Sequence, residues 1–571
     1  MANRVGKQVA HFLCLSLLGI GGASLLQVPS LGAERIIASV GEQTLSVPVS
    51  VLAQFAKTGD ISPEFAPLAA ALGKPTLTQL QGLLLQRFPT GNPVEFGRLM
   101  SIPLTEPLLK NISKALRSPS GKEDVPAVRA AVIRAAATGE GLTLLNVLRQ
   151  FPGEVVNVDV VYTIKLATEI ATLTNYRDAA VKAVMQESQK EAAASSKASF
   201  AKLPDLRRPG AFKVERRSLM FKIDSYRPTQ AGLVKGYTLP IDLYLPEGSK
   251  QAVPLVVFSH GFGANRDAYT YLANHLASHG IAVAAPQHLG SDLQYRTLFL
   301  SGRFDSLVAP QEYISRSLDI TFMLNELEKL VLQKPELKGR LNLKQVGVVG
   351  NSLGGTTALS VAGAPINIDR LRHDCNDDRL SLSTSFLVQC RAQTAARQNA
   401  ALGDRRIKAV LAAYPLTSSI FGPESISKIM VPTIIVAGSQ DAFSSPVRDQ
   451  IHPFLWLKTP QKYLLVMRPG THFSTSEDAH VSGFPKSIVG VGLDVGRSYL
   501  QAMSVAFFKT YLSDSPQQSN NLPYLSAAYA KTISREPLQL DLIQALTPAQ
   551  LEQAYGNKLP IPIVPSPITT Q

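Results

Sequence analysis

The chain has 571 residues, 45% of them hydrophobic, which is too long for one ordinary domain and apolar enough for a large core. Against 43 Asp and Glu stand 57 Lys and Arg, a net charge of +14; this favours contact with an anionic surface such as lipid or cell-wall polymer, unless the chain is simply a basic soluble protein. Nucleic acid is a poor explanation, because no compact Lys/Arg block, zinc-finger spacing or RNA-binding signature is present.

Arg4 and Lys7 precede an apolar run over residues 12–26, and no charge follows until Glu34. That is the layout of a signal peptide cleaved near Ala33, so residues 1–33 are expected to be removed and the protein to be exported, periplasmic or extracellular. A retained anchor is the alternative, although the run is short and Gly-rich for a membrane span. Residues 34–185 read as a small, mainly helical domain. It opens with a hairpin, Arg35-Ile36-Ile37-Ala38-Ser39-Val40 and Gln43-Thr44-Leu45-Ser46-Val47 about Gly41-Glu42. Helices are expected over 49–57, 78–87, 125–137, 142–151 and 160–185. No catalytic constellation occurs there; a lid, a substrate-binding module, a docking unit and a structural appendage are all open roles. Residues 186–211, rich in Ala, Ser and Lys, read as a linker, or as a helix tail that frays into one.

A larger domain is expected over 212–515. The alternating stretches near Phe212 and Leu239-Pro240-Ile241-Asp242-Leu243-Tyr244-Leu245 read as antiparallel edge strands. Strands then alternate with helices, the pattern of a parallel sheet covered on both faces: an α/β fold, which the serine turn and the order of its partners, below, make one of the α/β-hydrolase kind. Leu255-Val256-Val257-Phe258 is followed by Ser259-His260-Gly261-Phe262-Gly263, a loop suited to supply one backbone N–H, that of Phe262, to an oxyanion. His260 reads as a brace for this loop. Two stretches interrupt the alternation, 289–315 and 363–403, and insertions at this edge cap pockets.

Ser352 sits in Gly350-Asn351-Ser352-Leu353-Gly354, directly after Val346-Gly347-Val348-Val349. A Gly-x-Ser-x-Gly between a strand and a helix forces the serine onto a sharp turn, with Oγ exposed above the sheet. Leu353 N–H, the first of the helix, is the second expected oxyanion donor. A hydroxyl needs a base, and a neutral imidazole serves near pH 7. Of the four histidines downstream, His472 follows a strand, Tyr463-Leu464-Leu465-Val466-Met467, and hangs in a loop. His373, His452 and His480 lack that setting and read as surface or packing residues. Asp441 follows the apolar strand Pro432-Thr433-Ile434-Ile435-Val436-Ala437, which completes the chain order Ser, Asp, His. A turn-capping aspartate is its other reading.

Cleavage of the leader would leave Cys375 and Cys390 as the mature cysteines, and an even pair in an exported chain reads as a disulfide, with two free thiols the alternative. No metal-ligand cluster is visible, and no cofactor is required. Residues 516–571 hold short helical pieces and end Pro-rich, a tail expected to be disordered in part or wrapped on the surface.

The segment Val256-Val257-Phe258-Ser259-His260-Gly261-Phe262-Gly263, then Leu276-Ala277-Ser278-His279-Gly280 and Val283-Ala284-Ala285-Pro286-Gln287-His288, together with Ser352-Leu353-Gly354-Gly355, resembles the plasma-type platelet-activating factor acetylhydrolases. The resemblance covers roughly residues 215–515 and implies a metal-free esterase or lipase acting on short or oxidised acyl chains of phospholipids. One departure is plain. Where those enzymes carry their acid, this chain reads Ala412-Ala413-Tyr414-Pro415. The acid has moved to Asp441, as in dienelactone hydrolases and cutinase-like polyesterases. The whole layout is similar to that of secreted cyanobacterial hydrolases with an N-terminal domain of unknown function. The expected function is therefore an exported serine hydrolase of small-molecule or lipid esters. A peptidase or polyester hydrolase would use the same triad, and a binding protein that keeps the hydrolase shell is the non-enzymatic reading.

Overall fold

A computed structural model describes residues 32–556, apart from 89, 91, 102–104, 196–199, 230–231, 250, 302, 305–307, 376–382, 396–401, 482–483, 485 and 514–515. The leader expected over 1–33 thus lies almost wholly outside the described residues. No helix among the described residues is long and apolar enough to cross a membrane.

The N-terminal hairpin forms as β1 (Arg35–Val40) and β2 (Gln43–Pro48), paired antiparallel. Two further strands join it: β3 (Leu116–Arg117) and β4 (Val155–Asp159), in the order β2-β1-β4-β3. The alternating Val155-Val156-Asn157-Val158 of β4 runs parallel to β1, a pairing that needs a long crossover and leaves no local trace. The helices that cover this sheet are more extensive than expected. Helical structure over Ala66–Leu85 begins well before residue 78, as two stretches separated by a kink at Gly73, held at φ 71°, with Pro75 near the start of the second. Pro93–Met100 and Glu106–Ala115 are helices that the apolar spacing does not announce. Ile36, Leu52, Phe55, Phe65, Leu109, Val128 and Phe151 form one apolar core.

The second sheet has nine strands: β5 (Val214–Thr229), β6 (Gly232–Pro246), β7 (Val253–Ser259), β8 (Ala282–Pro286), β9 (Leu341–Asn351), β10 (Ile407–Ala413), β11 (Thr433–Gly438), β12 (Lys462–Arg468) and β13 (Gln539–Ile543). Their order is β13-β12-β11-β10-β9-β7-β8-β6-β5. The six strands from β12 to β8 are mutually parallel, while β5, β6 and β13 are antiparallel additions. Alternation along each central strand sends side chains to two cores. Leu255, Val257, Val348 and Ile435 face the helices Glu312–Gln333 and Leu353–Val361. Val256, Phe258, Val349 and Ile434 face Thr270–Ser278 and Leu493–Tyr511. This is the α/β-hydrolase fold expected from the alternation of strands and helices.

Two expected boundaries are revised. The helix expected to end at residue 185 runs from Val160 to Ala194, and Tyr176, Ala180 and Val184 join a core of the nine-stranded sheet. Residues 186–194 are therefore helix, the helix-tail reading of this stretch. The tail is also corrected, for Gln539–Ile543 is a strand of the sheet, paired with β12. The long helix templates it: Ser188 Oγ accepts from Leu542 N–H at 3.2 Å, and Glu191 carboxylate oxygens accept from the N–H groups of Gln544 and Ala545. Those contacts span more than 350 residues of sequence, so local composition could not reveal them.

Candidate active site

Because the central strands are parallel, β7, β9, β10, β11 and β12 all deliver their carboxyl ends to one edge, in register. Ser259 pairs with Gly350, Asn351 with Ala413, Ala413 with Val436, and Gly438 with Met467. Catalytic groups of open parallel sheets gather at that edge.

Ser352 caps the helix Leu353–Val361 with φ 56° and ψ −122°, a conformation rare for a residue with a side chain. The neighbouring glycines make it achievable. A Cβ at Gly350 would stand 2.1 Å from Gly354 O, and one at Gly354 would stand 1.9 Å from Ser259 O. Ser352 N–H donates to Ala413 O at 2.8 Å, locking the turn to the next strand. Among the described residues Ser352 Oγ has no hydrogen-bond partner, His472 included; hydrogen bonds of this kind commonly tighten only when substrate binds.

His472 Nδ1 lies 2.8 Å from Asp441 Oδ2. The other carboxylate oxygen of Asp441 accepts from Phe443 N–H and Ser444 N–H, both at 2.8 Å. Backbone bonds hold the two loops together, Ser439 N–H to Met467 O at 3.0 Å and Gln440 N–H to Gly470 O at 2.6 Å. The imidazole is walled by Tyr414, Phe443 and Phe473, with ring centroids 5.4–5.7 Å away. Tyr414, directly after β10, is fully buried, and its hydroxyl points to Met467 Sδ at 3.6 Å. His373 is exposed beside Asp374, His452 is buried against the Tyr555 hydroxyl, and His480 lies 3.9 Å from Asp267.

The N–H groups of Phe262 and Leu353 have no partner among the described residues, as groups reserved for a ligand oxygen would require. A Cβ added at Gly261 would touch Ser352 Cβ at 3.4 Å, so the loop of Phe262 lies against the serine turn.

Behind this loop is a buried polar cluster that the sequence motifs do not assemble. His288 Nδ1 meets Asp319 Oδ2 and its Nε2 meets Ser259 Oγ, each at 3.0 Å. Arg227 bonds Asp319 and Glu312. Arg316 reaches Ser291, His260 O and Glu312. Burial lowers the Arg316 guanidinium to about 10 against the pull of Glu312 and Asp319, so it stays charged at neutral pH. Among the described residues no group of three or more His, Cys, Asp or Glu is placed to hold a metal ion.

His260, His288 and His452 are buried and held neutral: burial pushes the first two well below the ordinary value and His452 down to about 3. Unfolded, each would titrate near about 6.5. With the folded value below the unfolded one, the unfolded chain binds more protons beneath that pH, and stability present above it is lost as pH falls. Each such group costs about 1.4 kcal/mol per pH unit in that window. Thermal melts at pH 7 and pH 5 should therefore give a clearly lower Tm at pH 5. An unchanged Tm would mean that these rings take up protons in the folded state.

Cys375 and Cys390 form a disulfide that staples helix Ile368–Asp374 to helix Thr384–Cys390. The second helix leans on the segment that follows Asp441: Thr384 Oγ1 donates to Ala442 O at 2.9 Å, and Ser385 Oγ and Gln389 Nε2 donate to Asp449 at 2.6 and 3.0 Å. Replacing both cysteines by serine should lower stability by about 3 kcal/mol in the loop-entropy model. It should also change the relative kcat/KM for short and long esters while leaving far-UV circular dichroism unaltered. An unchanged chain-length preference would separate this insertion from the pocket.

Comparison with known proteins adds the following. Residues 32–159 match the family described as alpha/beta hydrolase of unknown function (DUF1400), and residues 233–316 match platelet-activating factor acetylhydrolase, isoform II. A platelet-activating factor acetylhydrolase of Cavia porcellus is 30% identical over 142 residues, covering 20% of this chain and 33% of that protein. The putative esterase YitV of Bacillus subtilis (strain 168) is 30% identical over 120 residues, covering 21% of this chain and 42% of that protein. The chain thus spans well under half the length of either relative. The fold is that of an α/β-hydrolase, and each of these likenesses covers only part of the chain. The second family match includes the loop of His260 and Phe262 but ends before Ser352.

Proposed function

We propose that the protein is an exported serine hydrolase of carboxylic esters, with lipid or phospholipid acyl esters as the substrate class. The observation that carries this reading is the 2.8 Å pair of His472 and Asp441 on the same sheet edge as Ser352 at its positive-φ turn. In the proposed reaction Ser352 Oγ attacks the ester carbonyl while His472 Nε2 takes its proton. Asp441 fixes the imidazole with its Nδ1 proton inward and stabilises the cation that forms. Phe262 and Leu353 N–H groups receive the oxyanion. His472 then protonates the leaving alcohol, and water cleaves the acyl-enzyme by the same route in reverse.

The walls of the site support this substrate class. Phe443, Phe473 and Phe484 pack on one another beside His472, and Phe262, Tyr295 and Phe304 do so beside the oxyanion loop. Such walls favour an apolar acyl or alkyl group. The Cys375–Cys390 bond supports passage through an oxidising compartment, and the +14 charge supports peripheral contact with an anionic membrane surface. The test is fluorophosphonate labelling of the mature protein with the adduct mapped to Ser352, followed by turnover of p-nitrophenyl esters of rising chain length, short-chain phospholipids and peptide amides. Labelling at Ser352 with ester turnover supports the reading. Absence of both, or amides cleaved faster than esters, overturns it.

A further inference from the structure

We propose that Arg316 and His260 are positioning residues that together aim the Phe262 N–H at the reacting oxygen; this rests on the serine-hydrolase reading above. A trans peptide unit is planar, with its C=O and N–H pointing in opposite directions. The unit that ends in Phe262 N–H begins in Gly261 C=O, so whatever holds that oxygen sets the direction of the N–H. His260 Nδ1 lies 2.8 Å from Gly261 O, and Arg316 Nη2 lies 3.5 Å from it. The preceding carbonyl, His260 O, accepts from Arg316 Nη1 at 2.7 Å. Two consecutive peptide planes are thus held from behind.

The tautomer of His260 follows from its neighbours. Backbone N–H of His288 can only donate, and it lies 3.0 Å from His260 Nε2. Nε2 is therefore the acceptor and Nδ1 carries the proton, so Nδ1–H donates to Gly261 O. The 3.2 Å approach of Arg316 Nη2 to Nδ1 then sets donor beside donor and contributes no bond. The far side of the loop is held through the same arginine. Arg316 Nε donates to Ser291 Oγ at 2.8 Å, and Ser291 O accepts from Gly263 N–H at 2.8 Å. Ser291 Oγ in turn donates to Glu312 Oε2 at 2.7 Å. Arg316, His260, Ser291 and Glu312 are all at most 1% exposed. A buried ionic cluster is seldom worth more to stability than apolar packing of the same volume. Its place here, with guanidinium and imidazole both on the carbonyls of one loop, points to the aim of the free N–H.

The experiment compares kcat and KM on a p-nitrophenyl ester and on the matching thionoester, whose developing sulfur anion accepts hydrogen bonds poorly. The wild type should prefer the oxygen ester strongly. Arg316→Met and His260→Leu should lower kcat on the oxygen ester by on the order of 10²-fold, as for loss of an oxyanion donor, with KM changed little. Thionoester turnover should fall far less, so the preference collapses. His260→Asn, which returns an N–H donor near the place of Nδ1, should regain most of the loss relative to His260→Leu. Because removing Arg316 takes one of two buried guanidinium groups from beside Glu312, Ser291→Ala serves as a milder variant, expected to lose part of the preference if Arg316→Met does not fold. Folded variants that keep the oxygen preference, or that lose both esters equally, overturn the proposal. A wild type that neither turns over esters nor labels with fluorophosphonate overturns the serine-hydrolase reading itself, a result distinct from either.

Discussion

Ser352→Ala is expected to lower ester turnover by on the order of 10³-fold or more while leaving the fold intact. The change removes one oxygen, and the turn does not depend on it. Backbone bonding from Ser352 N–H to Ala413 O and the close approach of Gly350 to Gly354 remain, and alanine meets the same positive φ as serine. His472→Ala should cost a comparable amount, because the hydroxyl without its base is as poor a nucleophile as no hydroxyl at all. The double variant should then be no worse than either single one, since the two groups act as a unit. Steady-state turnover of a p-nitrophenyl ester by purified proteins of equal Tm decides the matter. Near-normal turnover by Ser352→Ala would show that the serine mechanism is wrong, and additive losses would show that His472 serves another group.

The serine turn, the acid strand and the histidine strand are legible because each is a local signal: a buried apolar run followed within a few residues by a polar group at a fixed offset. Ser352, Asp441 and His472 each follow such a run, and parallel register carries the three to one edge. The cluster beneath the oxyanion loop gives no such signal. Glu312, Arg316 and Asp319 share one face of a helix at spacings of four and three, a pattern that ordinarily marks a solvated surface. Here that face is buried, because Arg227 arrives from the β5 strand to neutralise it. The partner lies 85 or more residues away, and no window of sequence joins the two. The strand in the tail escapes the sequence for a related reason. Gln539-Leu540-Asp541-Leu542-Ile543 has the alternation of an edge strand, but it is set in polar, Pro-containing sequence, and its place depends on the exposed edge of β12 and on Ser188 and Glu191 of a helix far upstream.

Asp441→Asn is expected to lower turnover by roughly 10⁴-fold at neutral pH, by analogy with the serine proteases, with little change in Tm. The carboxylate Oδ2 accepts the Nδ1 proton of His472, which leaves Nε2 bare and able to take the serine proton. An amide in its place can present N–H to Nδ1, and that inverts the tautomer: Nε2 then carries a proton and cannot act as a base. Stability should survive because the amide oxygen can still accept from Phe443 and Ser444 N–H. Among the described residues, the neighbouring carboxylates Asp449 and Glu424 are both engaged. Asp449 is fully buried and engaged by Ser385, Gln389, Ser418 Oγ and the N–H groups of Thr417, Ser418 and Ser445. Glu424 is paired with Arg370 at 2.5 Å. The end of β10 offers only Tyr414, whose buried hydroxyl is pushed well above its ordinary pKa by desolvation and remains protonated. The loss should ease as pH rises, because hydroxide can take over the work of the missing base. A pH–rate profile of purified Asp441→Asn protein measures both features. Turnover close to wild type at pH 7 would assign the role of the acid to Asp449 or Glu424 and require the loop between Thr417 and Ser445 to rearrange on binding substrate.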